Sequence, residues 1–174
     1  MKKLILITVL VITSNGWAMG HSDLDQSINS HQQQFEKIAL QIWDIAEVGY
    51  QEYQSSSLLK ASLAKEGFRI EENVADIPTA FIAEYGQGLP VIAILGEFDA
   101  LPGLAQSASP YREKYKENIA GHACGHHLFG AGSAWASVVI KEWLSSNNKK
   151  GTIRFYGTPA EEGGSGKVYM AREG

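Results

Sequence analysis

The sequence of 174 residues is short of several things, and each shortage closes off a class of protein. It holds one cysteine, Cys124, which closes no internal disulfide. In an oxidising compartment a lone cysteine asks for another explanation, and metal ligation is one. Basic residues are outnumbered: 15 Lys and Arg stand against 19 Asp and Glu, a net charge of −4. With no basic stripe along the chain, nucleic acid is a poor partner. There is no low-complexity stretch, no internal repeat and no linker. No apolar run reaches the roughly 20 residues of a membrane span. The run Leu4 to Ile12 is preceded by Lys2 and Lys3 and followed by Gly16-Trp17-Ala18. Positive start, apolar stretch and small-x-small site stand in the order of an export signal. Residues 1–18 are therefore predicted to be a signal peptide, and 19–174 a periplasmic or secreted protein without a membrane span once the signal is removed.

What is present alternates between helical and extended patterns. Residues 19–30 are polar and read as mobile at their start. Phe35, Ile38, Ile42 and Ile45 then recur at helical spacing, which predicts an amphipathic helix over Asp25 to Ala46. Glu47 to Gln54 reads as a short connection. A second helix carries Leu58, Leu59 and Leu63, with Ser55 as a cap and Gly67 as a stop. Phe68 to Val74 and Thr79 to Tyr85 read as strands around a turn at Asp76-Ile77-Pro78. Val91 to Leu95 is nearly continuous in apolar residues, the pattern of a strand buried on both faces. A long segment from Ala100 to Ala123 comes next, then a helix from Leu128 to Ser145 and a buried strand from Thr152 to Gly157. Ser165 is placed to cap a last helix. Two helices, three strands, a helix, a strand and a helix start make an α/β layered domain with a mixed sheet flanked by helices.

Three polar clusters lie after strands or open helices. Glu97 and Asp99 close the Val91 strand. Gly121-His122-Ala123-Cys124-Gly125-His126-His127 packs the cysteine and three of the five histidines before the long helix. Glu161 and Glu162 come after the Thr152 strand. Thiolate and imidazole are zinc-type donors, and ligands collect outside the carboxyl ends of strands in open α/β sheets. All three clusters are expected at one edge. Adjacent residues of a regular strand point to opposite faces, so Glu161 and Glu162 share a site only if the chain kinks. Pro159, Gly163 and Gly164 are the expected cause of that kink. One carboxylate then binds metal while its neighbour stays free as a general base. Asp99 either supports a ligand from behind or caps the loop after its strand. His21 and His31 receive no role.

Gly96-Glu97-Phe98-Asp99-Ala100-Leu101-Pro102-Gly103-Leu104, Gly121-His122-Ala123-Cys124-Gly125-His126 and Tyr156 to Lys167 together resemble the amidohydrolase branch of the aminoacylase/carboxypeptidase superfamily of metallopeptidases. That branch includes the plant auxin-conjugate hydrolases and the bacterial aminobenzoyl-glutamate hydrolases, and the last motif looks closest to the latter. Glu47 to Glu52 fits the branch's early helix-end motif, and the likeness runs from about Phe35 to Gly174. The resemblance implies that Cys124 takes the place of a metal-bridging ligand, that His126 and Glu162 are metal ligands, that Glu161 is the general base, and that Asp99 supports the site. It implies two divalent ions, zinc or manganese, and hydrolysis of the amide bond of N-acyl amino-acid conjugates, aminobenzoyl ones among them. It also implies dimeric full-length relatives.

The sequence departs from the branch in two ways. His127 stands where the branch has aspartate or asparagine. No histidine follows His127, whereas the branch draws further histidine ligands from later in its catalytic domain. On this reading 19–174 is the amino-terminal part of a catalytic domain. Beside it stand an inactive remnant or binding fragment, and a thiol hydrolase using Cys124.

Overall fold

The computed structural model describes residues 19–113, 115 and 119–174, with side chains from Asp23 onward; the predicted signal peptide lies outside them. The element order is α1 (Met19–Ile45), α2 (Tyr53–Lys65), β1 (Arg69–Glu72), a 3-10 turn (Val74–Asp76), β2 (Phe81–Gln87), β3 (Val91–Gly96), β4 (Leu101–Pro102), β5 (Ala120–Gly121), α3 (His126–Ser146), β6 (Gly151–Gly157), α4 (Glu161–Gly164) and α5 (Gly166–Arg172). The main sheet has the order β1-β2-β6-β3. β1 and β2 pair antiparallel, as do β2 and β6, while β3 runs parallel to β6. It is a mixed α/β sheet flanked by helices.

The core forms where the helical and extended patterns meet. Phe35, Ile38 and Ile42 of α1, Leu59 and Leu63 of α2, and Ala131, Ala134 and Val138 of α3 pack on Phe81, Ala83, Ile153 and Phe155 of the sheet. Alternation along the strands puts these residues on one face. Truncating a buried phenylalanine such as Phe155 typically costs about 3–5 kcal/mol.

Several expectations are corrected here. α1 begins at Met19 rather than Asp25, so the polar segment 19–30 is helical. Ser55 is not the cap of α2. Glu52 occupies that position, and the Glu47 carboxylate accepts from the N–H groups of Gln54 and Ser55 at 3.0 and 2.9 Å. The Val91 strand is not buried on both faces: Val91, Ile92 and Leu95 are 46, 48 and 43% exposed. β3 ends the strand order, and among the described residues its outer side has no neighbour. An apolar run reports the environment a strand suits, and its place at the sheet edge comes from topology.

The pairing of β3 with β6 positions the segments that leave both strands. Their register sets Gly96 opposite Gly157, so both carboxyl ends lie side by side. Thr158 ties them, its N–H donating to the Gly96 carbonyl at 2.9 Å. Helix α3, the crossover between the two strands, starts at the same edge.

Candidate metal centre

Each of the three clusters reaches this edge by a different local device. Just beyond β3, Glu97 and Asp99, two residues apart, both reach His126. Gly125, at φ 88°, turns the chain into α3 and sets His126 in its first turn. Beyond β6, the one-turn helix α4 carries Glu161 and Glu162. Besides the expected Pro159, Gly163 and Gly164, two residues with a Cβ take left-handed backbone here, Ala160 before α4 and Ser165 after it, both at φ 55°. Left-handed backbone at a residue with a Cβ costs roughly 1–2 kcal/mol, so neighbouring contacts must hold Ala160 there.

His126 is the hub. Its Nδ1 donates to Asp99 Oδ1 at 2.8 Å, and the other Asp99 oxygen, Oδ2, accepts the Glu162 N–H at 2.9 Å. Of the two roles left open in the sequence, support of the histidine is the one seen; the second oxygen holds the turn after β6 rather than the loop after Asp99's own strand. On its other side His126 Nε2 lies 2.8 Å from Glu97 Oε2, and 3.8 Å from both Glu161 Oε2 and Glu162 Oε1. Lys167 pairs with Glu97 from α5. Glu161 is the most open of the group, its side chain 43% exposed.

The hydrogen bond to Asp99, with the charges of Asp99, Glu97 and Glu162, holds His126 above the ordinary imidazole value despite its burial. Burial alone would raise the Asp99 carboxyl, but the hydrogen bonds from His126 and Glu162 N–H outweigh it and hold the group low. The hydrogen bond with Glu162, then slight burial and the surrounding carboxylates, raise the Cys124 thiol. Such a thiol is the opposite of an activated nucleophile, and the thiol-hydrolase reading finds no support in this geometry.

Four carboxylates thus lie around one imidazole, and one of them, Glu97, also pairs with an ammonium. One donor atom each of Cys124, His126 and Glu162 falls within a mutual 4.8 Å, as does one each of Glu97, His126 and Glu161. Glu162 Oε1 is buried without a hydrogen-bond partner. An orphaned carboxylate oxygen beside a thiol and an imidazole nitrogen is the condition a divalent cation relieves. The residues present fit a metal ion.

Glu97 was placed in this edge from the sequence without a role, although its two-residue spacing from Asp99 was the available signal. The neighbouring histidines turn away from the cluster. His127 packs against the Trp43 ring at 5.0 Å and against His122 at 5.1 Å, on the α1 side. His122 donates from Nε2 to the Ile42 carbonyl at 3.0 Å, and burial pushes it down to about 4. His127 is also lowered by burial. The departure at 127 therefore leaves the contacts between Asp99 and His126 in place. His31 pairs with Glu142 away from this edge.

Residues 93–174 match the family described as Peptidase family M20/M25/M40. A subunit of the p-aminobenzoyl-glutamate hydrolase of Escherichia coli (strain K12) is 47% identical over 154 residues, which are 87% of this chain and 32% of that protein. The hippurate hydrolase of Campylobacter jejuni is 32% identical over 143 residues, 82% of this chain and 36% of that protein. A solved dinuclear metal-binding peptidase of family M20 from Bacillus subtilis superposes with a TM-score of 0.71 at 26% identity, over 83% of this chain and 40% of that one. The chain spans about a third of the length of these curated relatives.

Proposed function

We propose, from the match of residues 93–174 to peptidase family M20/M25/M40, that this chain is part of a metal-dependent amidohydrolase of that family acting on N-acyl amino acids. The observation that carries the reading is the meeting of Cys124, His126 and Glu162 beside a second, more open carboxylate, Glu161. The substrate class is drawn from the relatives' names, a hydrolase of aminobenzoyl-glutamate and one of hippurate, each substrate an acyl group on an amino acid.

Cys124, His126 and Glu162 would hold a divalent ion, zinc or manganese, and Glu97 lies within reach of the same imidazole. A second ion, as in the dinuclear Bacillus subtilis structure, belongs to the same proposal. When bound, the metal supplies Lewis-acid polarisation of the scissile carbonyl. Asp99 holds the proton on His126 Nδ1, which leaves Nε2 as the nitrogen aimed at the cluster. Glu161 Oε2 takes a proton from water as the water oxygen bonds to the carbonyl carbon. The C–N bond then breaks, and the same proton passes to the departing amine nitrogen. Exposure of Glu161 suits a group that must exchange protons with substrate.

The test uses the purified metal-loaded protein and p-aminobenzoyl-glutamate or hippurate. Chelation is expected to abolish turnover, and Glu161→Gln to lower kcat by about 10²–10⁴-fold, the usual worth of a positioned acid–base group. Turnover that survives both treatments would sink the proposal.

A further inference from the structure

We infer that Glu52 and Tyr50 set the position of the Glu161-Glu162 turn, gripping it from its two ends. The inference rests on the proposed metal site and adds two positioning residues to it.

The segment Glu47 to Glu52, between α1 and α2, is tied down on several sides. Ala100 N–H donates to the Glu47 carbonyl at 2.8 Å, and Val48 bridges Ala100 in parallel, next to Asp99. Glu52 stands at the cap of α2, whose Ser55, Ser56 and Leu59 are buried, and its carbonyl accepts from Ser56 N–H at 2.9 Å. From this fixed base the fully buried Glu52 side chain leaves the helix, and Oε1 accepts the Ala160 N–H at 2.8 Å. The Tyr50 hydroxyl donates to the Gly164 carbonyl. Ala160 and Gly164 are the two ends of α4, so one contact precedes the glutamate pair and the other comes after it.

The surfaces are in close contact. A Cβ on Gly164 would lie 2.4 Å from Tyr50 Cε2, and one on Gly49 would lie 3.0 Å from Ala160 Cα. Glycine at 164 is what lets the Tyr50 ring sit this near, and a side chain at 49 would crowd Ala160. Ala160 holds φ 55°, and its N–H is aimed at Glu52. Loss of the acceptor leaves a strained residue with an unpaired buried donor directly before Glu161. A site held from a packed helix start is set more closely than one held by its own loop.

The chemistry of Glu52 is that of an acceptor. Its Oε2 has no hydrogen bond of standard geometry, nor has the adjacent Thr79 hydroxyl. Burial holds the carboxyl above its ordinary value. A neutral amide can therefore replace it, with the side-chain oxygen on Ala160 and the NH₂ towards Thr79.

The experiment titrates Co²⁺ into the purified protein and tracks the thiolate-to-cobalt absorption that reports ligation by Cys124. Wild type, Glu52→Gln, Glu52→Ala and Tyr50→Phe are compared, each at a temperature where circular dichroism shows it folded. Glu52→Gln is expected to bind within about threefold of wild type and Glu52→Ala about 10-fold or more weaker, the usual effect of removing a ligand's support. Tyr50→Phe, which leaves the Glu52 contact intact, is expected to fall between them. It carries the test alone if Glu52→Ala does not fold, and wild-type affinity in it then overturns the inference. Wild-type affinity in Glu52→Ala overturns it, as does an equal loss in Glu52→Gln and Glu52→Ala. Absence of the absorption in wild type overturns the metal reading and this inference with it, a failure distinct from the others.

Discussion

Asp99 makes the two contacts that no other residue of the site can make together. One oxygen orients His126 and the other accepts the backbone N–H of Glu162, so a ligand and the turn carrying its neighbour share one anchor. Asp99→Asn can still accept from His126, but its NH₂ then meets the Glu162 N–H, donor against donor. Divalent-metal affinity, read by calorimetry, is expected to fall about 10–100-fold; unchanged affinity would remove Asp99 from the positioning role. At this scale much of the cluster was legible. Cys124, His126, Glu161, Glu162 and Asp99 stand out as donors near strand ends, and the structure brings all five to one edge. Glu52 was not legible, because a sequence does not say that a glutamate opening a helix is fully buried against a turn more than a hundred residues away. The place of His127 was not legible for a related reason: neighbours at the first turn of a helix point about 100° apart, and only the structure shows that it faces Trp43 while His126 faces the acids.

Elements were read more securely by type than by ending. Helical spacing found α1, α2 and α3, yet α1 starts earlier and α2 is capped from Glu47, since caps depend on contacts outside the helix. Strand alternation has a consequence on the face of the sheet away from α1, α2 and α3. There Glu84 of β2 opposes Arg154 of β6 and also meets Arg69 of β1. The hydrogen bond from Arg154, with the nearby charges, holds the Glu84 carboxyl below its ordinary value. A carboxyl depressed on folding stabilises above its unfolded pKa and loses that contribution as pH falls through the lower folded value. Glu84→Gln is therefore expected to cost up to about 1 kcal/mol near neutrality, and the difference from wild type to shrink as pH drops below about 4. Denaturant melts at pH 7 and pH 3 measure it, and a gap that stays constant across that range contradicts the linkage.

The whole molecule is asymmetric in a way no single element reveals. Helices α1, α2 and α3 cover one face of the sheet, and the parallel pair β3 and β6 delivers the candidate site to its edge. The same topology leaves β3 outermost among the described residues, with Val91, Ile92 and Leu95 substantially exposed. An apolar strand with free backbone groups is a template for pairing with another chain. The sequence marked this run as one that seeks burial, and the fold described here does not supply it. The 174-residue chain purified as such is expected to self-associate with rising concentration in sedimentation velocity. Leu95 lies on the face away from α1, α2 and α3, beside Tyr156 and in a groove it shares with Met170 and Ala171 of α5. Leu95→Lys there places on the edge the charge that natural sheets use to block pairing. Because Leu95 is 43% exposed, the substitution should change stability by no more than about 0.5 kcal/mol while lowering self-association severalfold. A wild-type chain that stays monomeric across the concentration series would show that this edge is quiet as it stands. Association that Leu95→Lys leaves untouched would place the contact elsewhere on the molecule.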